Sequence, residues 1–148
     1  MIVFAFDRDL TVDSSPDPGP VRLTWIQWLA RRTGHEVWAI GNQLLKAEAS
    51  IPGRVEIRER AGMGPKFGKA VNSKELLGQI PKKQRNVASK RKYLKLLQQI
   101  IPDADRYICV DDFDISCDGW EYFTPYAFVL AWPLIQEAAA EKLNPDIG

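Results

Sequence analysis

Two short runs of wholly apolar residues, Ile2-Val-Phe-Ala-Phe6 and Tyr107-Ile-Cys-Val110, each stop at a carboxylate. Side chains alternate between the two faces of a strand, so a run that is apolar throughout must be covered on both faces. That is the situation of a central strand in a parallel sheet flanked by helices. Two such strands in a chain of 148 residues point to an α/β architecture. With 45% hydrophobic residues, residues 1–148 suffice for one domain with its own core and no disulfide staples.

The rest of the chain alternates strands with helices, which predicts a three-layer Rossmann-like sandwich around a mostly parallel sheet. Strand Ile2–Phe6 is followed by a Pro/Gly-rich loop over 13–20 and a helix from about Val21 to Arg32, with Thr33-Gly34 as a C-cap. A second strand covers 36–40, with a turn at Gly41-Asn42-Gln43 and a short helix through Ala49. Residues 54–88 mix signals: Arg54–Arg58 alternates like a strand, Ala61–Pro65 is loop chemistry, and Ser73 could cap a helix over 74–80. After Ser89, residues Tyr93, Leu96, Leu97, Ile100 and Ile101 fall at helical spacing, and Pro102 stops the element. A strand over 106–110, a short strand over 120–123 and a C-terminal helix with Pro133 in its first turn complete the pattern.

Each apolar strand runs into acid: Asp7-Arg8-Asp9-Leu10-Thr11 after the first, and Asp111-Asp112-Phe113-Asp114 after the later one. In an open parallel sheet, ligands bind beyond the carboxyl ends of the strands, where both clusters fall. Asp7 and Asp9 are two apart and project from the same side. Gathered carboxylates repel one another, and an all-oxygen set suits Mg²⁺ better than zinc. The plain alternative is that these aspartates are solvated turn residues.

Lys90 aligns with Leu97 and Ile101 on the apolar side of its helix, whereas Lys92 and Lys95 lie around the cylinder. A Lys90-Arg91-Lys92 run in a first turn opposes the macrodipole unless an anion is held there. If the helix begins earlier, near Lys82, the bases form an ordinary solvated face. Trp25 and Trp28 are expected to pack, and His35, at the opposite end of the sheet from the acids, is not expected to act in catalysis.

The formal charge of +1 conceals an asymmetry: residues 46–95 hold 14 Lys/Arg against four Asp/Glu, whereas residues 102–148 hold ten acids and two bases. Residues 82–95 carry seven bases, no acid and Tyr93 as their only aromatic, so they offer no stacking platform for nucleic acid. Two cysteines make no disulfide framework, no secretory signal is visible, and the apolar stretch 122–135 is too short for a membrane span, so the protein is expected to be soluble and cytoplasmic. Tyr122, Phe123, Tyr126, Phe128 and Trp132 are candidates for core or for a subunit interface, leaving room for an oligomer.

Asp7-Arg8-Asp9-Leu10-Thr11-Val12 after a hydrophobic strand resembles motif I of the haloacid dehalogenase superfamily, and Val110-Asp111-Asp112-Phe113-Asp114 resembles its motif IV, with Lys90 between them in the expected order. The resemblance covers nearly the whole chain. It implies a Mg²⁺-dependent phosphomonoester hydrolase working through an aspartyl-phosphate. Asp7 would be the nucleophile and Asp9 the general acid and base. Thr11, Gly41, Asn42 and Lys90 would bind phosphate. Mg²⁺ would be held by Asp7, Asp9 through its carbonyl, Asp111 and Asp112, with Asp112 or Asp114 orienting its waters.

Motif II departs from the family pattern: Ile40 stands at the position of its Ser or Thr, and Asn42 is the nearest polar substitute. A lost donor of this kind costs roughly one to a few kcal/mol of transition-state stabilisation, so slow or absent turnover is expected. The loop after the first strand is short and residues 46–88 are few for a second domain, which implies no full cap; in the family that architecture leaves the site open, as in phosphatases that act on large, macromolecular substrates or that a neighbouring subunit closes. A second reading is a non-catalytic module that holds nucleic acid or a phosphorylated partner through the basic stretch 66–95. A phosphoacceptor receiver domain is disfavoured by motif order, and a metal-dependent nuclease would shorten strands rather than release phosphate.

Overall fold

The computed structural model describes residues 1–13, 17–40 and 85–143. Its elements are β1 (Ile2–Phe6), α1 (Leu23–Arg32), β2 (Glu36–Ala39), α2 (Arg85–Ile100), β3 (Arg106–Val110), β4 (Glu121–Phe123) and α3 (Pro125–Ala140). The strands form one four-stranded, all-parallel sheet in the order β2-β1-β3-β4. The turn at Gly41-Asn42-Gln43, the helix through Ala49 and the elements expected over 54–80 lie outside the described residues.

β1 is the centre of the fold, and all five of its residues are buried. Phe4 and Phe6 stack on one face of the sheet, where Phe128 of α3 meets Phe6 edge-on at 5.4 Å between ring centroids. α1 joins α3 on that face: Trp25 stacks on Trp132 at 4.8 Å and Trp28 meets it edge-on at 6.1 Å. On the opposite face α2 brings Lys90 to Asp7 and Asp111 at the ends of β1 and β3, and Tyr107 of β3 donates its hydroxyl proton to the carbonyl of Ile101 just beyond the helix. Helices on both faces are what the wholly apolar strands require.

All three helices differ in their boundaries from the sequence expectations, each for a local reason, and β2 and β4 each lack one expected end residue, Ile40 and Trp120. α2 begins by Arg85, so Lys90 lies in its second turn, and the expected conflict of Lys90 with the helix N-terminus does not arise. α1 ends on an extended Thr33, whose hydroxyl bonds the Leu29 carbonyl and accepts from the His35 amide, in place of a left-handed glycine cap. The C-terminal helix starts at Pro125, with Thr124 as N-cap accepting the Ala127 amide at 3.2 Å, and runs through Pro133. An interior proline costs a helix about 3 kcal/mol, and burial of Phe128, Trp132, Ile135 and Ala139 along one side offsets it. Of the aromatics assigned to core or interface, Phe128 and Trp132 are buried, Tyr122 and Phe123 half-buried, and Tyr126 exposed.

His35 closes the far end of the sheet. Its Nδ1 accepts the Ile2 amide at 3.0 Å, which leaves Nε2 to carry the proton and donate to the Ala139 carbonyl at 3.0 Å. Burial lowers its pKa, in keeping with a neutral structural imidazole. Among the described residues no helix is long and apolar enough to cross a membrane.

Candidate functional site

The connection out of β1 leads to β2 on one side, while β3 lies on the other, so the carboxyl ends of β1 and β3 frame the point where strand order reverses. Phe6 is in register with Val110, and the ladder continues one residue further, with the Asp7 amide bonded to the Val110 carbonyl at 3.0 Å. Asp7 and Asp111 therefore stand side by side at the same level of the sheet. Both project to the face covered by α2, since each lies two residues beyond an inward side chain of that face, Ala5 and Cys109.

Asp111 then bends the chain. Its Oδ1 accepts the Phe113 amide at 2.9 Å, an Asx turn that swings Asp112 round toward the same spot. Tyr122 fixes the bend from β4 by donating to the Asp111 carbonyl at 3.0 Å. As a result, Asp7, Asp111 and Asp112 each bring a carboxylate oxygen within 4.8 Å of the other two, close enough for one cation to engage all three.

Lys90 reaches this cluster from α2. Its Nζ lies 2.8 Å from Asp111 Oδ2 and 3.3 Å from Asp7 Oδ1, with the lysine only 4% exposed. The same side of α2 buries Tyr93, Leu94 and Leu97, and the expected inward direction of Lys90 is what the structure has. The exposed Phe113 ring lies 6.0 Å from Nζ, at the rim of the cluster.

The electrostatics follow from burial. Loss of solvent pushes the Asp7 carboxyl up to about 7; Lys90 pulls it down, but the charge of Asp111 and a hydrogen bond with Asp112 add to the rise. Burial likewise raises Asp111 to about 6, with Lys90 opposing. Burial alone would lower Lys90, yet the two carboxylates outweigh it and hold the ammonium above its ordinary pKa, so it stays charged. Nearby Cys109 is pushed up to about 12 by burial and by Asp111, which leaves an unreactive thiol.

The segment between β1 and α1 is drawn tightly over the end of the sheet. Thr11 and Val12 donate their amides back to the Arg8 carbonyl, and Val12 bridges Val21. Leu10 takes a left-handed conformation at φ 59° to make this turn. Gly19 passes so close that a Cβ there would sit 2.4 Å from the Leu10 and Thr11 backbone. Asp13 accepts the Leu23 amide at 2.6 Å and starts α1. The chain thus proceeds from strand to helix with only residues 14–16 undescribed between them.

Of the residues singled out from sequence, Asp7, Lys90, Asp111 and Asp112 converge. Thr11, expected to bind phosphate, is fully buried, and its hydroxyl donates to Asp7 Oδ2 at 3.4 Å, which makes it a positioning group for that carboxylate. The Asp9 carboxylate is not part of the close trio; it is partly exposed, with Oδ1 3.4 Å from Arg8 Nε. Asp114 turns away: its Oδ1 accepts the amide and hydroxyl of Ser116 within its own loop, so it does not serve the cluster. Ile40 is buried with its amide on the Phe6 carbonyl at 3.2 Å, and Gly41 and Asn42 lie outside the described residues. Sequence reading passed over two supports. Arg91 bonds the Asp114 and Ser116 carbonyls at 2.9 and 3.1 Å and ties α2 to the acidic loop, and the Tyr122 hydroxyl holds the Asp111 backbone.

No protein-family model, curated protein or solved structure matches the chain.

Proposed function

We propose that the chain is a Mg²⁺-dependent phosphomonoester hydrolase of the haloacid dehalogenase type, acting through an aspartyl-phosphate. The observation that carries this reading is the cluster at the strand-order reversal, in which buried Asp7 and Asp111 share one lysine and half-buried Asp112 brings a third carboxylate beside them. The donor set fits a hard divalent cation: three carboxylate oxygens, no soft ligand, and two carboxyls that burial away from solvent holds above the ordinary carboxylate range. Asp7, Asp111 and Asp112 would hold Mg²⁺, which supplies neutralisation of the phosphoryl oxygens.

The remaining chemistry belongs to the side chains. Thr11 and Lys90 each take one oxygen of Asp7 and fix the carboxylate in orientation. Asp7 attacks phosphorus, forming an acyl phosphate as the ester P–O bond breaks. Asp9, partly exposed beside Arg8, is available to the solvent side; it protonates the departing alkoxide and afterwards takes a proton from the water that cleaves the Asp7–phosphorus linkage. Lys90 stabilises the charge that spreads over the phosphoryl oxygens, a task made effective by its burial.

The test is release of inorganic phosphate from an aryl phosphate and a panel of metabolite phosphomonoesters, with Mg²⁺ or with EDTA, for wild type and Asp7→Asn. The reading requires metal-dependent turnover that Asp7→Asn removes. Equal release by wild type and variant would reject it. Ile40, which offers no hydroxyl at the end of β2, favours a second reading as a phosphate-binding module without turnover. Retained binding of a phosphorylated ligand with no release would select that one.

A further inference from the structure

The outer side of α3 carries the least explained feature of the molecule. Tyr126, Leu130 and Leu134, at successive intervals of four, are 73%, 84% and 74% exposed. From Pro125 to Gln136 the helix has no charged residue. A helix that is apolar all round is normally covered on every side, yet α3 is buried at Pro125, Phe128, Trp132, Ile135 and Ala139 and half-covered at Val129 and Ala131, which leaves the stripe of Tyr126, Leu130 and Leu134 bare. Three large side chains left this bare in one stripe form a patch of several hundred Å², the scale that marks an interaction surface.

We propose that this stripe is the contact surface of a homodimer, in which α3 of one copy packs antiparallel against α3 of another across a two-fold axis near Leu130. Charge selects both partner and direction. Glu137 and Glu141 continue the stripe at its C-terminal end on the same side of the helix. A parallel pair would set each glutamate against its own copy. In the antiparallel pair Tyr126 meets Leu134 of the second copy and Leu130 meets Leu130, so apolar covers apolar throughout. Glu137 lies about 10 Å along the axis from Leu130 and Pro125 about 8 Å in the other direction, which brings Glu137 beside the first turn of the opposite helix, where the macrodipole favours an anion. Glu121, near that end, is already held by Arg106 through two hydrogen bonds at 2.8 and 2.9 Å. The patch is self-complementary, as a two-fold interface must be. It uses none of Asp7, Lys90, Asp111 or Asp112, so the proposal stands apart from the catalytic reading.

The test is molecular mass in solution by light scattering and sedimentation over a dilution series. Wild type is expected at twice the mass of one chain, Leu130→Glu at the mass of one chain at every concentration where wild type is paired, and Glu137→Lys at intermediate behaviour with a dissociation constant raised several-fold. Because Leu130 is exposed, the glutamate leaves the fold intact, which circular dichroism checks. Cysteine pairing reads direction: in a Cys117→Ser background, Leu130→Cys should form an intermolecular disulfide readily, and Tyr126→Cys only when Leu134→Cys is present in the same chain. A monomeric wild type overturns the proposal, whether the stripe then binds lipid vesicles or stays bare. So does a dimer that Leu130→Glu leaves intact, and ready pairing of Tyr126→Cys with itself overturns the antiparallel arrangement.

Discussion

Replacing Asp7 by asparagine is expected to make the metal-free protein more stable at alkaline pH, although it removes the proposed nucleophile. Burial raises the Asp7 carboxyl from 3.8 to about 7. A group whose folded pKa exceeds its unfolded pKa contributes stability that is complete below the unfolded value and is lost as pH rises through the folded one. That rise in the Asp7 pKa puts the cost of ionising it in the folded state on the order of 4 kcal/mol. The residue is 6% exposed, so solvent screening removes little of this. The attraction of Lys90 at 3.3 Å is already contained in that raised value; against the gain stands the exchange of a carboxyl oxygen for an amide NH₂ beside Thr11, a loss of about 1–3 kcal/mol. The net gain at pH 8 is about 1–3 kcal/mol, or roughly 3–10 °C in midpoint for a domain of this size. At pH 5 wild-type Asp7 is largely protonated, and the gain should vanish. Urea unfolding in EDTA at the two pH values reads this directly. A variant less stable than wild type at pH 8 would show the Asp7–Lys90 contact to be a stabilising ion pair and refute the reasoning. Mg²⁺ added at pH 8 should stabilise wild type, by about 2.7 kcal/mol at a hundredfold excess over Kd, and the variant much less.

Lys90→Met leaves Asp7 and Asp111 facing each other without a cation and should destabilise by about 3–5 kcal/mol at pH 8, less at pH 5; adding Asp7→Asn should restore most of the loss in the same urea assay. His35 has its pKa lowered by burial, so its contribution is present above the unfolded value near 6.5 and is lost as pH falls below it; His35→Phe should flatten the stability curve between pH 5 and 7 while costing about 1–3 kcal/mol through the orphaned Ile2 amide. Gly19→Ala would press a methyl group 2.4 Å from the Leu10 and Thr11 backbone; a loss of about 1–3 kcal/mol in thermal unfolding is expected, together with slower turnover from a displaced Thr11–Asp7 bond.

The parts of this fold that were legible in the sequence are those where one physical constraint acts alone. β1 and β3 are apolar on both faces, and their bounds of Ile2–Phe6 and Arg106–Val110 follow from where the apolar run meets charge. Lys90 was legible because its inward direction follows from helical period alone, even though the start of α2 did not. α3 was not, because it lacks the polar side that makes a period visible and because Pro133 reads as a beginning. The partners of Thr11 and Asp114 were not legible, for another reason. Each has a short polar side chain that can turn to a ligand or to a near neighbour, and the neighbours, Asp7 and Ser116, win. The Asp-x-Ser spacing of 114–116 is an available signal for such a turn, whereas nothing in the local sequence announces the part of Arg91 or Tyr122, whose partners lie on other elements.

The proposed function differs from a structural ion pair in the charge balance it requires of the cluster. A structural pair matches one buried cation to one buried anion, and removing it in favour of apolar packing is often neutral. Here a single ammonium serves Asp7 and Asp111, with Asp112 a third acid within reach, so full ionisation leaves two negative charges in excess. The fold does nothing to dilute that excess: the register of β1 and β3 sets Asp7 beside Asp111, the Asx turn brings Asp112 in, and Tyr122 fixes the bend. Sheet register, a turn and a cross-strand hydrogen bond hold the acids together, and burial makes their ionisation costly in the metal-free chain. Two missing positive charges are what one divalent cation brings. Removal of Asp7 and removal of Lys90 should therefore move stability in opposite directions at pH 8 without metal, which a structural pair, symmetrical in its two partners, would not do.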